Sequence, residues 1–272
     1  MSTADVGQMP ATVASLTRDL GELGIEAGDG VFVHASMRAI GPTVGGARAV
    51  VQALLDAVGP GGLIGMPGFS ADAAFPEALS RASLSPAAVE AVEQAVLGFD
   101  PRTSPAAGMG AIAETFRTWP GTRRSDHPTT SICLNGADAA AYVKEHPLAW
   151  ATGADSPLGR LRARPRMKML LIGVGWNRCT VLHTAEGLAP TMRTKVRRFK
   201  SGPGDAPWVE TPDVADDLNR LFPQVGAAFE DTGAVRIGML GDASVRLCAY
   251  APLVSFATAW IDAANRDSGD RH

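Results

Sequence analysis

His183 and Glu186, in the run Thr180-Val-Leu-His-Thr-Ala-Glu186, carry the strongest chemical signal in the chain. Residues three apart on a helix share a face, so the imidazole and the carboxylate can converge on one point. A carboxylate orients an imidazole and stabilises its protonated form, which is what a general base requires. The plainer alternative is a partly buried histidine beside a solvated glutamate. Zinc is a weaker reading, because no further His or Cys stands at a helical ligand spacing. Cys179, four residues before His183, would share that face if the helix began early enough, which opens a Cys–His acyl carrier. A small buried thiol is the simpler reading of Cys179.

The remaining motifs fail on inspection. Gly173-Val-Gly175-Trp-Asn-Arg178 follows a strand like the start of a dinucleotide fingerprint, but it lacks the third glycine and the acidic residue about 20 positions on. Gly68-Phe-Ser70-Ala-Asp72 resembles a nucleophile elbow, with Asp72 where the closing glycine belongs. His34 reads as a core or turn histidine and His127, before Pro128, as structural; His146 and His272 read as surface residues.

Composition bounds what these residues serve. The 272 residues are 46% hydrophobic and carry a net charge of -3, which suits one large α/β domain over 1–272, with an ordered core of about 10–264. That charge argues against a nucleic-acid binder held by electrostatics. No apolar run reaches the roughly 18–20 residues of a membrane span. The first residues lack a basic and an apolar segment of the secretory kind, and three widely spaced cysteines do not form a disulfide framework, so a reducing cytoplasm is the expected location.

The elements that must position the pair are legible from periodicity and punctuation. Residues 11–23 predict a helix ending near Gly24, residues 31–34 a buried strand, residues 47–58 an amphipathic helix stopped by Gly59-Pro60-Gly61-Gly62, and residues 63–66 a second strand. That strand–helix–strand order suggests a βαβ unit with parallel pairing. Ser85-Pro86 opens a helix through Val96, residues 111–118 form another, and residues 131–134 are strand-like. Ser156 caps a short helix with Pro157 at its first position. Residues 167–173 are the clearest strand and residues 180–188 a helix. Beyond Arg193, strands are expected around 193–200, 207–211 and 244–248, and helices near 213–230 and 252–264.

Six segments, in order, also carry a family resemblance: Val33-His-Ala-Ser-Met-Arg-Ala-Ile-Gly41, Gly65-Met-Pro67, Ser104-Pro-Ala-Ala-Gly-Met-Gly110, His127-Pro-Thr-Thr-Ser131, Ser156-Pro-Leu-Gly-Arg-Leu161, and Leu171-Ile-Gly-Val-Gly175 followed by Thr180–Glu186. Together they resemble the aminoglycoside 3-N-acetyltransferases, or antibiotic N-acetyltransferases, from about residue 10 to 262. The resemblance implies a three-layer α/β/α sandwich around a mixed, partly parallel sheet, distinct from the GNAT fold. It implies direct acetyl transfer from acetyl-CoA, without a metal, to the 3-amino group of a 2-deoxystreptamine ring, with the protein alone or as a homodimer. His183 would be the base, Glu186 its acid and Thr180 a hydroxyl near the thioester carbonyl. Ser36, Met37, Arg38, Ala39, Ile40, Ser104, Met109 and Gly110 match segments that line the CoA arm.

The chain departs from the family where the acceptor is held. Relatives often carry a longer aromatic and acidic segment after the Met-Pro strand, whereas Gly68–Phe75 contains only Asp72 as an acid, and Val181 stands where a second hydroxyl is common. An acyltransferase acting on a different amine in a biosynthetic pathway is therefore the alternative. The chemistry asked of the residues agrees with either. A protonated amine must lose a proton before attack, and the thioester oxygen gains charge that N–H groups and a hydroxyl stabilise. A polycationic sugar needs a negative cleft, for which Asp72, Glu186, Glu210 and Asp213 are candidates, the last two also reading as surface salt-bridge partners. The basic run Arg193, Lys195, Arg197, Arg198, Lys200 reads as phosphate-binding or, more simply, as a solvated edge strand.

Overall fold

Alternating side chains on the central strands decide the layering. In the computed structural model, which describes residues 9–106, 108–215 and 219–269, β1 (Gly30–Ala35) lies between β2 (Leu63–Pro67) and β5 (Met167–Ile172) and runs parallel to both. Val31 and Val33 enter one core and Phe32 the other, as Leu170 and Ile172 oppose Met169 and Leu171. Buried on both faces, these strands read as nearly unbroken apolar runs. Leu16 and Leu20 of α1 (Val13–Leu23), Val50 and Leu54 of α3 (Gly46–Val58), and Ile112 and Phe116 of α5 (Gly110–Arg117) cover the first face. Leu158 of α7 (Pro157–Leu161), Leu182 of α8 (Val181–Leu188), Val225 of α9 (Phe222–Glu230) and Leu253 of α10 (Tyr250–Gly269) cover the second. The expected three layers are present.

Four further strands complete the main sheet: β3 (Arg123–Arg124), β4 (Ile132–Gly136), β8 (Arg236–Leu240) and β9 (Ala243–Ala249). The order is β3-β4-β2-β1-β5-β9-β8. Only β1 with its two neighbours is parallel; β4 pairs antiparallel with β2, and β9 with β5. The sheet is thus mixed, with a parallel centre. A separate hairpin of β6 (Thr194–Lys200) and β7 (Trp208–Val214) packs Phe199 and Val209 against Phe99 and Ala73. Arg198 of β6 pairs with Glu93 at 3.0 Å and so fastens α4 (Pro86–Ala95) to the hairpin. Two short helices, α2 (Met37–Ile40) and α6 (Ala139–Val143), follow β1 and β4.

Several expectations need correction. Strand β7 continues to Val214 rather than stopping at 211, and among the described residues the next α-helix is Phe222–Glu230. Pro212 sits within it opposite Val196, which a two-stranded ribbon allows because one side of each strand is free of the ladder. Strand β8 was not expected: it is a sheet edge whose Ile237 and Met239 are exposed and whose Gly238 interrupts the alternation. The C-terminal helix begins at Tyr250 and runs to Gly269. His146 is not a surface residue. Its Nδ1 accepts from Ser125 Oγ at 2.8 Å and its Nε2 donates to the carbonyl of Ala151 at 2.7 Å. His272 lies outside the described residues.

Candidate active site

Helix α8 is built to hold a polar pair over an apolar base. It follows a 3-10 turn at Trp176–Arg178 and ends at Leu188, because Ala189 is extended ahead of Pro190. Val181, Leu182, Thr184 and Ala185 are buried. His183 and Glu186 take the remaining face, with Nδ1 of His183 2.7 Å from Oε2 of Glu186. A carboxylate only accepts, so Nδ1 carries the proton of this bond, and in the neutral ring Nε2 then holds the lone pair. Phe222 meets the ring edge-on with centroids 4.8 Å apart, which restrains its rotation. The two side chains are 12% and 13% exposed, shielded enough to hold the bond yet open to a ligand.

His183 stands at a cavity of about 550 Å3 over the C-terminal ends of β1 and β2. Thr180 and His34 share its wall, the turn of Ser36, Met37 and Arg38 forms one side, and Met109, Gly110 and the start of α5 form another. Arg38 and Arg178, both exposed, place two cations at its lining. Glu186 faces away from this cavity, toward a smaller recess that includes Arg220 and Asn265. The pair therefore bridges two openings, with the imidazole at the larger one.

The structure brings together only part of the expected set. Ser36 lines the cavity while its hydroxyl accepts from the N–H of Ala39 and caps α2. Ala39 and Ile40 do not line it; Ile40 is in the core, and Ala39 packs so closely on Gly173 that a Cβ there would lie 2.2 Å from its methyl. Close approach together with a φ of +62° explains Gly173, and no nucleotide is needed to account for it. Ser104 is buried and accepts from the N–H of Asp100 at 3.1 Å, away from the cavity wall. Asp72 lies in the loop after β2, its N–H donating to Ser70 Oγ. Glu210 pairs with Arg198 at 3.2 Å and buried Asp213 with Arg197 at 2.6 Å, so both have cationic partners within the hairpin. Lys200 donates to the carbonyl of Val96 and Arg198 pairs with Glu93, so these two members of the basic run pin the hairpin, while Thr194 and Val196 of the same ribbon strand are exposed.

Two residues change meaning in three dimensions. His34 is buried in the cavity wall, and its Nε2 accepts the backbone N–H of Thr180 at 3.2 Å. Burial, and then neighbouring His183, push its ring down to about 3, so it is neutral near pH 7. Its signal in the sequence was its place at the C-terminal end of a buried parallel strand, where α/β folds put their ligands. Cys179 is fully buried, and burial raises its thiol well above the ordinary range. A buried neutral thiol is a poor nucleophile, the opposite of what an acyl carrier requires. Phe69, Val174, Asn177 and Asn219 also line the cavity and carry no signature of their own in the sequence.

Comparison with known proteins supports the same grouping. A family model described as aminoglycoside 3-N-acetyltransferase matches residues 32–262. The chain is 33% identical to the prophage-derived aminoglycoside N(3')-acetyltransferase-like protein YokD of Bacillus subtilis (strain 168), covering 95% of this chain and 94% of that protein. It is 34% identical to aminoglycoside N(3)-acetyltransferase III of Pseudomonas aeruginosa, covering 96% and 97%. The crystal structure of YokD superimposes with a TM-score of 0.88 over 96% of each chain. AAC-IIIb solved with CoASH gives 0.83 at 30% identity, covering 94% of this chain and 98% of that one. AAC-VIa bound to sisomicin gives 0.83 at 34% identity, covering 94% and 99%. With the motifs in register over nearly the whole length and the same fold around them, the chain belongs to the aminoglycoside 3-N-acetyltransferase family.

Proposed function

We propose that this protein transfers the acetyl group of acetyl-CoA directly to the 3-amino group of the 2-deoxystreptamine ring of aminoglycosides, with His183 as general base. The observation that carries the reading is the His183–Glu186 bond of 2.7 Å at the wall of the large cavity. The relatives solved with CoASH and with sisomicin support the two substrate classes. In this scheme the acceptor ammonium first gives one proton to solvent, and Nε2 of His183 takes a second proton from the neutral amine as its nitrogen attacks the thioester carbonyl. Glu186 stabilises the resulting imidazolium. The Thr180 hydroxyl donates to the carbonyl oxygen as it gains negative charge. The C–S bond then breaks, and the imidazolium returns its proton to the leaving thiolate. Arg38 and Arg178 supply positive charge for the anionic end of the cosubstrate.

Binding both substrates at once supplies the proximity that makes a covalent relay unnecessary. One observation favours a second reading, acylation of a different amine: Asp72 is the only acid in Gly68–Phe75, and it does not line the large cavity. The test is acetyl-CoA consumption with gentamicin, kanamycin, neomycin and apramycin side by side, with NMR of the product to locate the acetyl group. Turnover with acetylation at the 3-amino group is expected. Failure with all four, alongside intact acetyl-CoA binding, would favour the other amine.

A further inference from the structure

Two imidazoles face one cavity in this protein, and they are held in opposite tautomers. His183 gives Nδ1–H to Glu186, which in the neutral ring leaves Nε2 as the acceptor. His34 does the reverse: Nε2 accepts the Thr180 N–H at 3.2 Å, so the single proton of the neutral ring must be on Nδ1. Thr180 is the residue at which α8 begins, and its hydroxyl has no role as a helix cap. The N–H it gives to His34 lies at an end where helix donors lack internal partners. The link is long-range, joining the end of β1 to the start of the helix that carries both His183 and Glu186.

We propose that His34 is a positioning residue for the acetyl transfer: by accepting the Thr180 N–H it fixes the first turn of α8, and so sets the Thr180 hydroxyl and the His183 ring in register across the cavity. The inference rests on the proposed acetyltransferase activity. His34 transfers no proton in this role; a ring that donated from Nε2 would face the Thr180 N–H with a second donor and lose the contact. Neutrality also suits a ring beside His183, which becomes cationic during turnover and would be opposed by a second imidazolium. A carboxamide can replace the contact only if its oxygen reaches the Nε2 position. Glutamine reaches it, asparagine stops one bond short, and leucine offers no acceptor.

The experiment is steady-state kinetics of His34→Gln, His34→Asn and His34→Leu with a saturating accepted aminoglycoside, each variant checked for a cooperative thermal transition. His34→Gln is expected to stay within about threefold of wild-type kcat, while the Asn and Leu variants lose roughly 10- to 100-fold, the scale of a displacement near 1 Å at reacting groups. The KM for acetyl-CoA should move less than about threefold in all of them, because the change acts on alignment rather than on cosubstrate binding. Equal kcat in wild type and the Leu variant, or equal losses in the Gln and Leu variants, would overturn the proposal. Independently of activity, 15N NMR of histidine-labelled wild-type protein should show the resonance that disappears in His34→Gln as an Nδ1–H tautomer; an Nε2–H tautomer would overturn it. A wild-type protein that acetylates no amine refutes the functional reading, whereas an active wild type with indifferent His34 variants refutes this inference alone.

Discussion

Lowering the pH from 7.5 to 5.0 should destabilise this protein steeply, through histidines that the fold keeps neutral. His127 is fully buried; its Nδ1 accepts the N–H groups of Thr129 and Thr130 at 3.3 and 3.0 Å, and its Nε2 donates to the carbonyl of Leu148 at 3.2 Å. His146 packs against it with ring centroids 4.7 Å apart. Burial pushes His127 down to about 4, and burial together with His127 pushes His146 down to about 3. In the unfolded chain both titrate near 6.5. Between 6.5 and the folded values the unfolded state therefore binds protons that the folded state refuses, so stability is complete above 6.5 and falls as the pH drops.

At pH 5.0 the difference amounts to about 2 kcal/mol for each histidine, and His34 adds a similar amount. The three together approach about 6 kcal/mol, a large part of the roughly 5–15 kcal/mol that holds a typical protein folded. Carboxylates held low by cationic partners, such as Glu93, lose stability in the same direction, but mainly below about pH 5, near their unfolded values. The window from 5.0 to 6.5 thus isolates the histidines. The assay is urea unfolding at half-unit pH steps, without ligand, for the wild type and His127→Asn. Asparagine keeps an acceptor near the Nδ1 position and cannot titrate. It should cost about 1 kcal/mol at pH 7.5 for the lost bond to Leu148, yet reduce the decline between 7.5 and 5.0 by about 2 kcal/mol. An unchanged decline in the variant, or a wild-type loss below about 1 kcal/mol across the window, would refute the reasoning.

Three further outcomes follow from the site. His183→Ala should lower kcat by roughly 10²- to 10⁴-fold with the fold intact, measured by acetyl-CoA consumption; near-normal turnover would remove His183 from the mechanism. Glu186→Gln should weaken catalysis or acceptor binding and leave the affinity for acetyl-CoA nearly unchanged in calorimetry, because Glu186 faces away from the cavity lined by Arg38 and Arg178; a large loss of CoA affinity would contradict that placement. Cys179→Ala should keep at least about a third of wild-type kcat, since a change under roughly 0.7 kcal/mol in barrier suits packing alone. Ping-pong kinetics with an acetyl group trapped on Cys179 would instead establish a thiol relay.

What the sequence determines here is local. The caps at Ser85 and Ser156 and the proline that follows each set helix starts that need no tertiary help. The apolar runs of β1, β2 and β5 are buried whatever their neighbours, and a spacing of three on a helix puts His183 and Glu186 on one face before any packing is known. Edges and distant partners are decided otherwise. Strand β8 exists because β9 lies beside it, and β7 crosses Pro212 because one side of its ribbon lies outside the ladder. Glu210 and Asp213 are drawn into ion pairs by Arg198 and Arg197 across a hairpin register that spacing alone does not reveal. His34 and Thr180 stand 146 positions apart and meet only because β1 and β5 pair in parallel and α8 follows the end of β5. The residue types and spacing of the pair put an imidazole beside a carboxylate, but which groups share its cavity depends on strand order and register, and those are properties of the assembled sheet.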